Sequence, residues 1–198
     1  DTKQAVHWLT KAAEQDNANA QSSLGVIYVD GDGVPQDTKQ AVHWLTKAAE
    51  QGNANAQDTL GYMYDAGDGV SQDFKKAVYW LIKAAEQDIV NAQYRLGAMY
   101  ANGDGVPQDT KKAVDWLTKA AEQDNAHAQF KLGVMYADGD GVPQDTKKAV
   151  HWFTKAAEQD DAHAQNRLGV MYKNGDGVSQ DTKQAVHWLT KAAEQDNA

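Results

Sequence analysis

Apolar residues recur along this chain with the spacing of helix faces, in short blocks broken by glycine-rich turns. Over 37–51, Ala41, Trp44, Leu45, Ala48 and Ala49 stand at i, i+3, i+4, i+7 and i+8. At roughly 100° per residue these positions share one stripe, so the block predicts an amphipathic helix. Asp37 precedes it with Gln40 three residues on, the arrangement of an N-cap whose two side chains and two backbone amides satisfy each other. A second block puts Ala56, Leu60, Met63, Tyr64 and Gly67 on one stripe, with Asn53 placed to cap its start and Gly67 to end it. Gly67-Asp68-Gly69-Val70 then forms a turn that returns the chain to the next Asp cap.

This two-helix pattern repeats. Asp1, Asp37, Asp73, Asp109, Asp145 and Asp181 open six copies spaced by 36 residues, so five complete units and a closing helix at 181–198 fill 1–198 as a single repeat domain. Units one and two differ at 8 of 36 positions and 1–18 is identical to 181–198, which means recent duplication or an idealised array. Helices of about 13 to 15 residues are only ~20 Å long, and one such pair cannot bury its apolar faces alone. Pairs must stack. The expected fold is all-α: a right-handed α-solenoid of stacked antiparallel helix pairs.

Charge and composition narrow the partners. Lys plus Arg number 19 against 28 Asp plus Glu, a net charge of −9, and such a balance repels phosphate backbones and anionic membranes. Nucleic acid is therefore not an expected partner. With no cysteine, disulfides, thiolate metal sites and thiol nucleophiles all drop out, and the redox compartment stays open. No apolar run approaches the ~20 residues of a membrane span, so membrane insertion is not expected. Residues 1–9 lack a signal segment, although the absence of an initiator Met leaves room for a trimmed targeting peptide.

The pattern Ala-x-Ala-Gln-x-x-Leu-Gly-x-x-Tyr-x-x-Gly-x-Gly-Val-x-x-Asp-x-x-x-Ala-x-x-Trp-x-x-Lys-Ala-Ala, read from Ala54 to Ala85, resembles the Sel-one-like repeat (SLR) family of tetratricopeptide-related helical repeats. The resemblance covers the whole chain. It implies a scaffold or adaptor function, in membrane-associated complexes or in bacterial signalling and host contact. Two departures stand out. The family often has Gly after the Lys-Ala-Ala helix, where this chain has Asp16, Asp88, Asp124 and Asp160 and only Gly52 conforms; Ile89 replaces the polar cap of the other units.

Twenty of the 36 columns are identical in every copy, and packing, caps and turns account for most of them. The six tryptophans sit regularly on the apolar stripe and are assigned to the core. Asp30-Gly-Asp32-Gly invites a calcium reading, but the place of the required bidentate Glu is held by Ala41, so a turn is expected. His7, His43, His151 and His187 recur on the outer face of the first helix, about one helix spacing (~10 Å) or more apart, too far to share a metal. His127 and His163 fall near the start of second helices, where a cap or surface role is the default. No metal and no other cofactor is expected.

The columns that vary are more informative. Positions 22, 26 and 29 of the unit fall opposite the buried stripe of the second helix, with 19, 23 and 30 beside them. They hold Ser22, Val26 and Val29; Asp58, Tyr62 and Asp65; Tyr94, Ala98 and Ala101; Phe130, Val134 and Ala137; then Asn166, Val170 and Lys173. Ser23, Thr59, Arg95, Lys131 and Arg167 flank them. Some of these pack against the following unit on the plainest reading; otherwise they form an apolar strip with a polar border, the composition of a protein interaction surface. The resemblance implies that this helix lines the concave side of the array. A segment of a partner protein or peptide is then expected in a groove, anchored by Tyr62, Tyr94 and Phe130. Its direction is set by acidic Asp30, Asp58 and Asp65 at one end and basic Arg95, Lys131, Arg167 and Lys173 at the other.

Catalysis finds little support. Cysteine-rich relatives in the resembling family have been linked to β-lactam hydrolysis, which makes a Ser with Lys three residues on worth seeking. Ser22, Ser23, Ser71 and Ser179 are followed at that offset by Gly25, Val26, Phe74 and Thr182. The alternatives kept beside the scaffold are a self-assembling or idealised array and, further off, a β-lactam or ester hydrolase. In the array reading, uncovered faces of helix 1–16, at Val6, Trp8 and Leu9, and of helix 181–198 give weak end-to-end homo-oligomers.

Overall fold

A computed structural model describes residues 2–195, and among these residues the secondary structure is helix and turn alone. The odd-numbered helices are α1 (Thr2–Glu14), α3 (Thr38–Glu50), α5 (Phe74–Ala85), α7 (Thr110–Glu122), α9 (Thr146–Glu158) and α11 (Thr182–Gln195). The even-numbered ones are α2 (Ala18–Asp30), α4 (Ala54–Ala66), α6 (Val90–Asn102), α8 (Ala126–Asp138) and α10 (Ala162–Asn174). Positions 196–198 of the expected closing helix lie outside the described residues. The chain groups into two compact units, Asp1–Met99 with Gly103–Pro107 and Tyr100–Asn102 with Gln108–Ala198. In the first, α1 to α4 pack in order and α4 packs on α5; in the second, α7 to α11 do the same.

Local chemistry explains where each helix begins and ends. The carboxylates of Asp37, Asp73, Asp109 and Asp145 accept from the amides of Gln40, Lys76, Lys112 and Lys148. The expected reciprocal bond from residue 40 is replaced, because the Asp37 amide donates instead to the Tyr28 carbonyl at 3.0 Å. Each odd helix is thereby tied to the end of the even helix before it. The second helices start on Asn17, Asn53, Asn125 and Asp161 side chains, while Ile89 offers no side-chain cap to α6. Between the two helices of a pair the turn needs a positive φ. Gly52 meets this at +89°, and Asp16, Asp88, Asp124 and Asp160 do so at 59° to 62°, the left-handed region that short polar side chains tolerate.

An even helix and the odd helix that follows it approach closely. A Cβ placed on Gly25 would lie 2.6 Å from Leu45 Cγ, one on Gly61 2.6 Å from Leu81 Cγ, and one on Gly169 2.7 Å from Leu189 Cγ. At Gly133 the neighbour is the ring of Phe153, 2.5 Å away. Glycine at this column lets the next helix seat its largest core side chain directly on the backbone. Around each seat the cores are continuous: Leu45, Ala48, Ala49, Ala56, Leu60, Met63 and Trp80 form one cluster, and Ala149, Phe153, Ala156, Ala157, Ala164, Leu168 and Met171 another.

A buried amide ladder runs beside the glycines. Gln21, Gln57, Gln93, Gln129 and Gln165 are buried and donate to the carbonyls of Ala13, Ala49, Ala85, Ala121 and Ala157. Their side-chain oxygens are used as well. Gln51, Gln87, Gln159 and Gln195 donate to Gln21, Gln57, Gln129 and Gln165 at 2.7 to 3.0 Å, one repeat along. Among the described residues every buried side-chain polar atom is thereby paired, as a polar group out of water requires.

Three expectations need correction. The tryptophans are not uniformly core: Trp80 is buried, Trp44, Trp116, Trp152 and Trp188 are half-buried, and Trp8 is 65% exposed. The indole reaches from the core edge to the surface, where a Lys three residues on covers it, as Lys119 covers Trp116 at 4.2 Å from the ring centroid. Ser22, placed on the open face by its column, is buried. Val6, expected to be uncovered, is buried against Ala13, Ala20 and Leu24.

The glycine seats predict that Gly61→Ala lowers stability although alanine favours helix by about 1 kcal/mol, because overpacking costs about 1–3 kcal/mol. Chemical denaturation should show a loss, and truncating the opposing side chain in Gly61→Ala/Leu81→Ala should yield less than the sum of the two single losses. The ladder predicts that Gln57→Leu costs about 0.5–1.5 kcal/mol by removing a buried hydrogen bond to the Ala49 carbonyl, which keeps the bond from the Gly52 amide. Gln87→Ala, which removes an exposed donor, should cost less in the same assay.

Candidate functional site

The varied columns of the even helices lie opposite the buried stripe and beside the glycine seat, and the expected contact residues can be placed there. In the first unit they are Asp58, Tyr62 and Asp65 on α4 with Tyr94 and Arg95 on α6. Tyr62 is 41% exposed, and Asp58, Asp65, Tyr94 and Arg95 are half-buried. Three of the five form one cluster. The Arg95 guanidinium lies 4.6 Å from the Tyr62 ring centroid and donates to the Asp58 carboxylate at 3.3 Å.

Burial dominates the electrostatics of this cluster. Desolvation pushes the Asp58 carboxyl above its ordinary range, although the charge and hydrogen bond of Arg95 pull the other way. Asp65 is raised as well, first by burial and then, against the pull of Arg95, by the negative charge of Asp104. The two carboxylates thus hold Arg95 in place at a cost in solvation.

In the second unit the expected residues are Phe130, Lys131 and Val134 on α8 with Arg167 and Lys173 on α10. Phe130 is half-buried, its ring 5.7 Å from that of Phe153 and 5.8 Å from that of His163. Two hollows flank Val134. One, of ≈ 230 Å³, has Leu117, Phe130 and Met135 as apolar walls and Lys131 and Asp140 as charged ones. The other, of ≈ 340 Å³, has Val134, Phe153, Val170 and Met171 as its apolar lining, with Arg167, Asp138 and Asp176 among its polar residues. Lys173 is exposed at the end of α10 and lines neither.

The hollows also contain residues that the column argument passed over. Leu117 and Phe153 belong to odd helices, Met135 and Met171 to the buried stripe, and Asp140 and Asp176 to the turns. One signal was available for Phe153: it alone departs from Leu in a column otherwise kept at Leu9, Leu45, Leu81, Leu117 and Leu189. The histidines on odd helices stay outside these surfaces. His7, His43, His151 and His187 are exposed, each edge-on to the Trp that follows it. Among the described residues no three His, Cys, Asp or Glu side chains are grouped to hold a metal ion, and no helix is long and apolar enough to cross a membrane.

Known proteins share this geometry. The family profile described as the Sel1 repeat matches the chain six times, over 1–17, 18–53, 54–89, 90–125, 126–161 and 162–197. A protective antigen of uropathogenic Escherichia coli displaying an SLR fold is 42% identical, with a TM-score of 0.95 over 98% of this chain. The chain spans 42% of that antigen's length. A Sel1 repeat protein from Oxalobacter formigenes is 35% identical at a TM-score of 0.91, covering 99% of this chain and 78% of its own. Cysteine-rich protein B of Helicobacter pylori is 29% identical at a TM-score of 0.52, over 65% of this chain and 92% of its own. Among curated proteins none matches. The architecture is an all-α solenoid of helix pairs repeating every 36 residues, and the chain belongs to the Sel1 repeat family.

Proposed function

We propose that this chain is a protein-interaction scaffold that takes a segment of a partner protein on the varied face of its even helices. One observation carries the proposal. The columns opposite the buried stripe of the even helices combine partly exposed apolar side chains, Tyr62, Phe130, Val134 and Val170, with the cations Arg95, Lys131 and Arg167. An invariant frame that displays varied aromatic and basic residues has the make-up of a binding surface. The Sel1 repeat solenoid, a fold commonly used for protein interaction, supports the same conclusion. Tyr62, Tyr94 and Phe130 act as anchors, Asp58, Asp65, Arg95, Lys131, Arg167 and Lys173 orient the ligand, and Val134 adds apolar contact. No catalytic step belongs to this function.

Panning a displayed peptide library on the protein should enrich peptides that bind this face. Truncating an anchor at an interface costs about 2 kcal/mol or more, so Tyr62→Ala/Tyr94→Ala/Phe130→Ala should lose most of the binding while its far-ultraviolet circular dichroism is unchanged. Equal capture by the triple variant would overturn the assignment of the surface. Turnover of a chromogenic β-lactam or ester in proportion to protein would overturn the non-catalytic reading.

A further inference from the structure

The same position on the varied face is treated differently in the two units. In the first, Arg95 of α6 reaches Asp58 of α4, 37 residues earlier in the chain. In the second, the same step leads from Arg167 of α10 back to Phe130 of α8. Helices α8 and α10 lie side by side there, with His127 Nδ1 3.8 Å from Asp161 and the Phe130 ring against His163. Phe130 offers no charge. Arg167 is exposed and makes no ion pair or hydrogen bond with another described residue.

Arg167 also borders the ≈ 340 Å³ hollow whose apolar lining is Val134, Phe153, Val170 and Met171. A volume of this size lies at the lower end of ligand pockets and has room for one large apolar side chain. Asp138 and Asp176 line the same hollow. Arg167 lies on α10 and Asp176 in the turn just past its end, nine residues on; at ~1.5 Å per residue the two are up to ~14 Å apart, which about four extended residues match.

We propose that this hollow recognises a partner peptide by a short mixed motif: an apolar side chain in the hollow, Asp or Glu on one side of it to pair with Arg167, and Lys or Arg on the other to face Asp138 and Asp176. The motif rests on the scaffold function above and names the chemistry of the segment bound. Its acidic element follows from the first unit, where the Asp58–Arg95 pair shows how this fold satisfies the arginine of that column. With Phe130 in the place of Asp58, the partner supplies the carboxylate. Arginine and carboxylate pair with defined geometry, so the contact fixes direction as well as adding affinity. The net charge of −9 disfavours a wholly acidic ligand and favours one that also carries a cation.

Fluorescence anisotropy with short peptides, blocked at both termini, tests the motif. The cores Glu-Leu-Ala-Lys, Gln-Leu-Ala-Lys and Lys-Leu-Ala-Lys are compared on the intact chain. The Glu core should bind at least about tenfold more tightly than the Gln core. Arg167→Ala should erase that ratio, and Arg167→Glu should turn the preference toward the Lys core. Phe130→Asp, which gives Arg167 an internal carboxylate as in the first unit, should bring the ratio below that of Phe130→Asn, in which the same anchor is lost without a charge being added. If Glu and Gln cores bind alike and Val170→Glu still blocks both, the acidic preference is overturned and the scaffold function stands. If none of the three binds while library-selected peptides bind the varied face elsewhere, the hollow is overturned and the scaffold again stands. If no peptide of any source binds the varied face, both fall.

Discussion

The structure depends on one steric constraint, the missing side chain at Gly25, Gly61, Gly133 and Gly169. With a Cβ in those places, Leu45, Leu81, Phe153 and Leu189 could not lie where they do. The seat commits one face of α2, α4, α8 and α10 to the helix that follows each. The amide ladder pins the same side, because Gln57 spends its donor on Ala49 and its acceptor on Gln87. Glycine, glutamine and the aspartate caps thus consume the identical columns. The face of the even helices opposite the buried stripe differs from copy to copy, as do scattered odd-helix positions such as His43, Tyr79 and Asp115.

That division separates stability from recognition. The separation is incomplete, since Val29, Phe130, Val134 and Ala137 pack against the core and Ser22 is buried, while the remaining varied residues can change with less effect on stacking. The two units show two outcomes of such freedom. In the first, Asp58, Tyr62 and Arg95 satisfy one another, and buried carboxylates raised by desolvation accompany a closed surface. In the second, uncharged Phe130 leaves Arg167 without an ion pair to a described residue, beside a hollow with apolar walls that Asp138 and Asp176 also line. The change of a single column, Asp58 to Phe130, converts an internal ion pair into a place for an external one.

Much of this was legible from periodicity. Helix positions and the Asp and Asn caps follow from spacing and from residue chemistry alone, whereas the left-handed turns at Asp16 and its equivalents and the missing cap at Ile89 fall at positions legible only as departures from the pattern of the resembling family. What was not legible involves contacts across repeats. The Asp37 amide bonds to Tyr28 instead of to its own Gln40 because the preceding helix end lies nearby. Helical phase places Trp8 and Trp80 identically, yet their exposures differ widely, because indole burial depends on the neighbouring helices. The role of Gln57 was hidden for the same reason: a one-dimensional pattern marks a column as constant without revealing which carbonyl it serves. Phase did bring Tyr62, Arg95, Phe130 and Arg167 to one kind of face, but it gives no sign that Phe153 and Met171 also line a hollow there.

The most direct measurement of the central claim is a map of backbone amide chemical-shift changes as a bound peptide is titrated into isotopically labelled protein. If glycine-seated faces are purely structural, the largest changes fall at the varied columns of the even helices, around Tyr62, Phe130, Val134, Arg167 and Val170, and the odd-helix outer face from His43 to Lys47 stays silent. Changes centred on that odd-helix face, with the varied columns unmoved, would contradict the account.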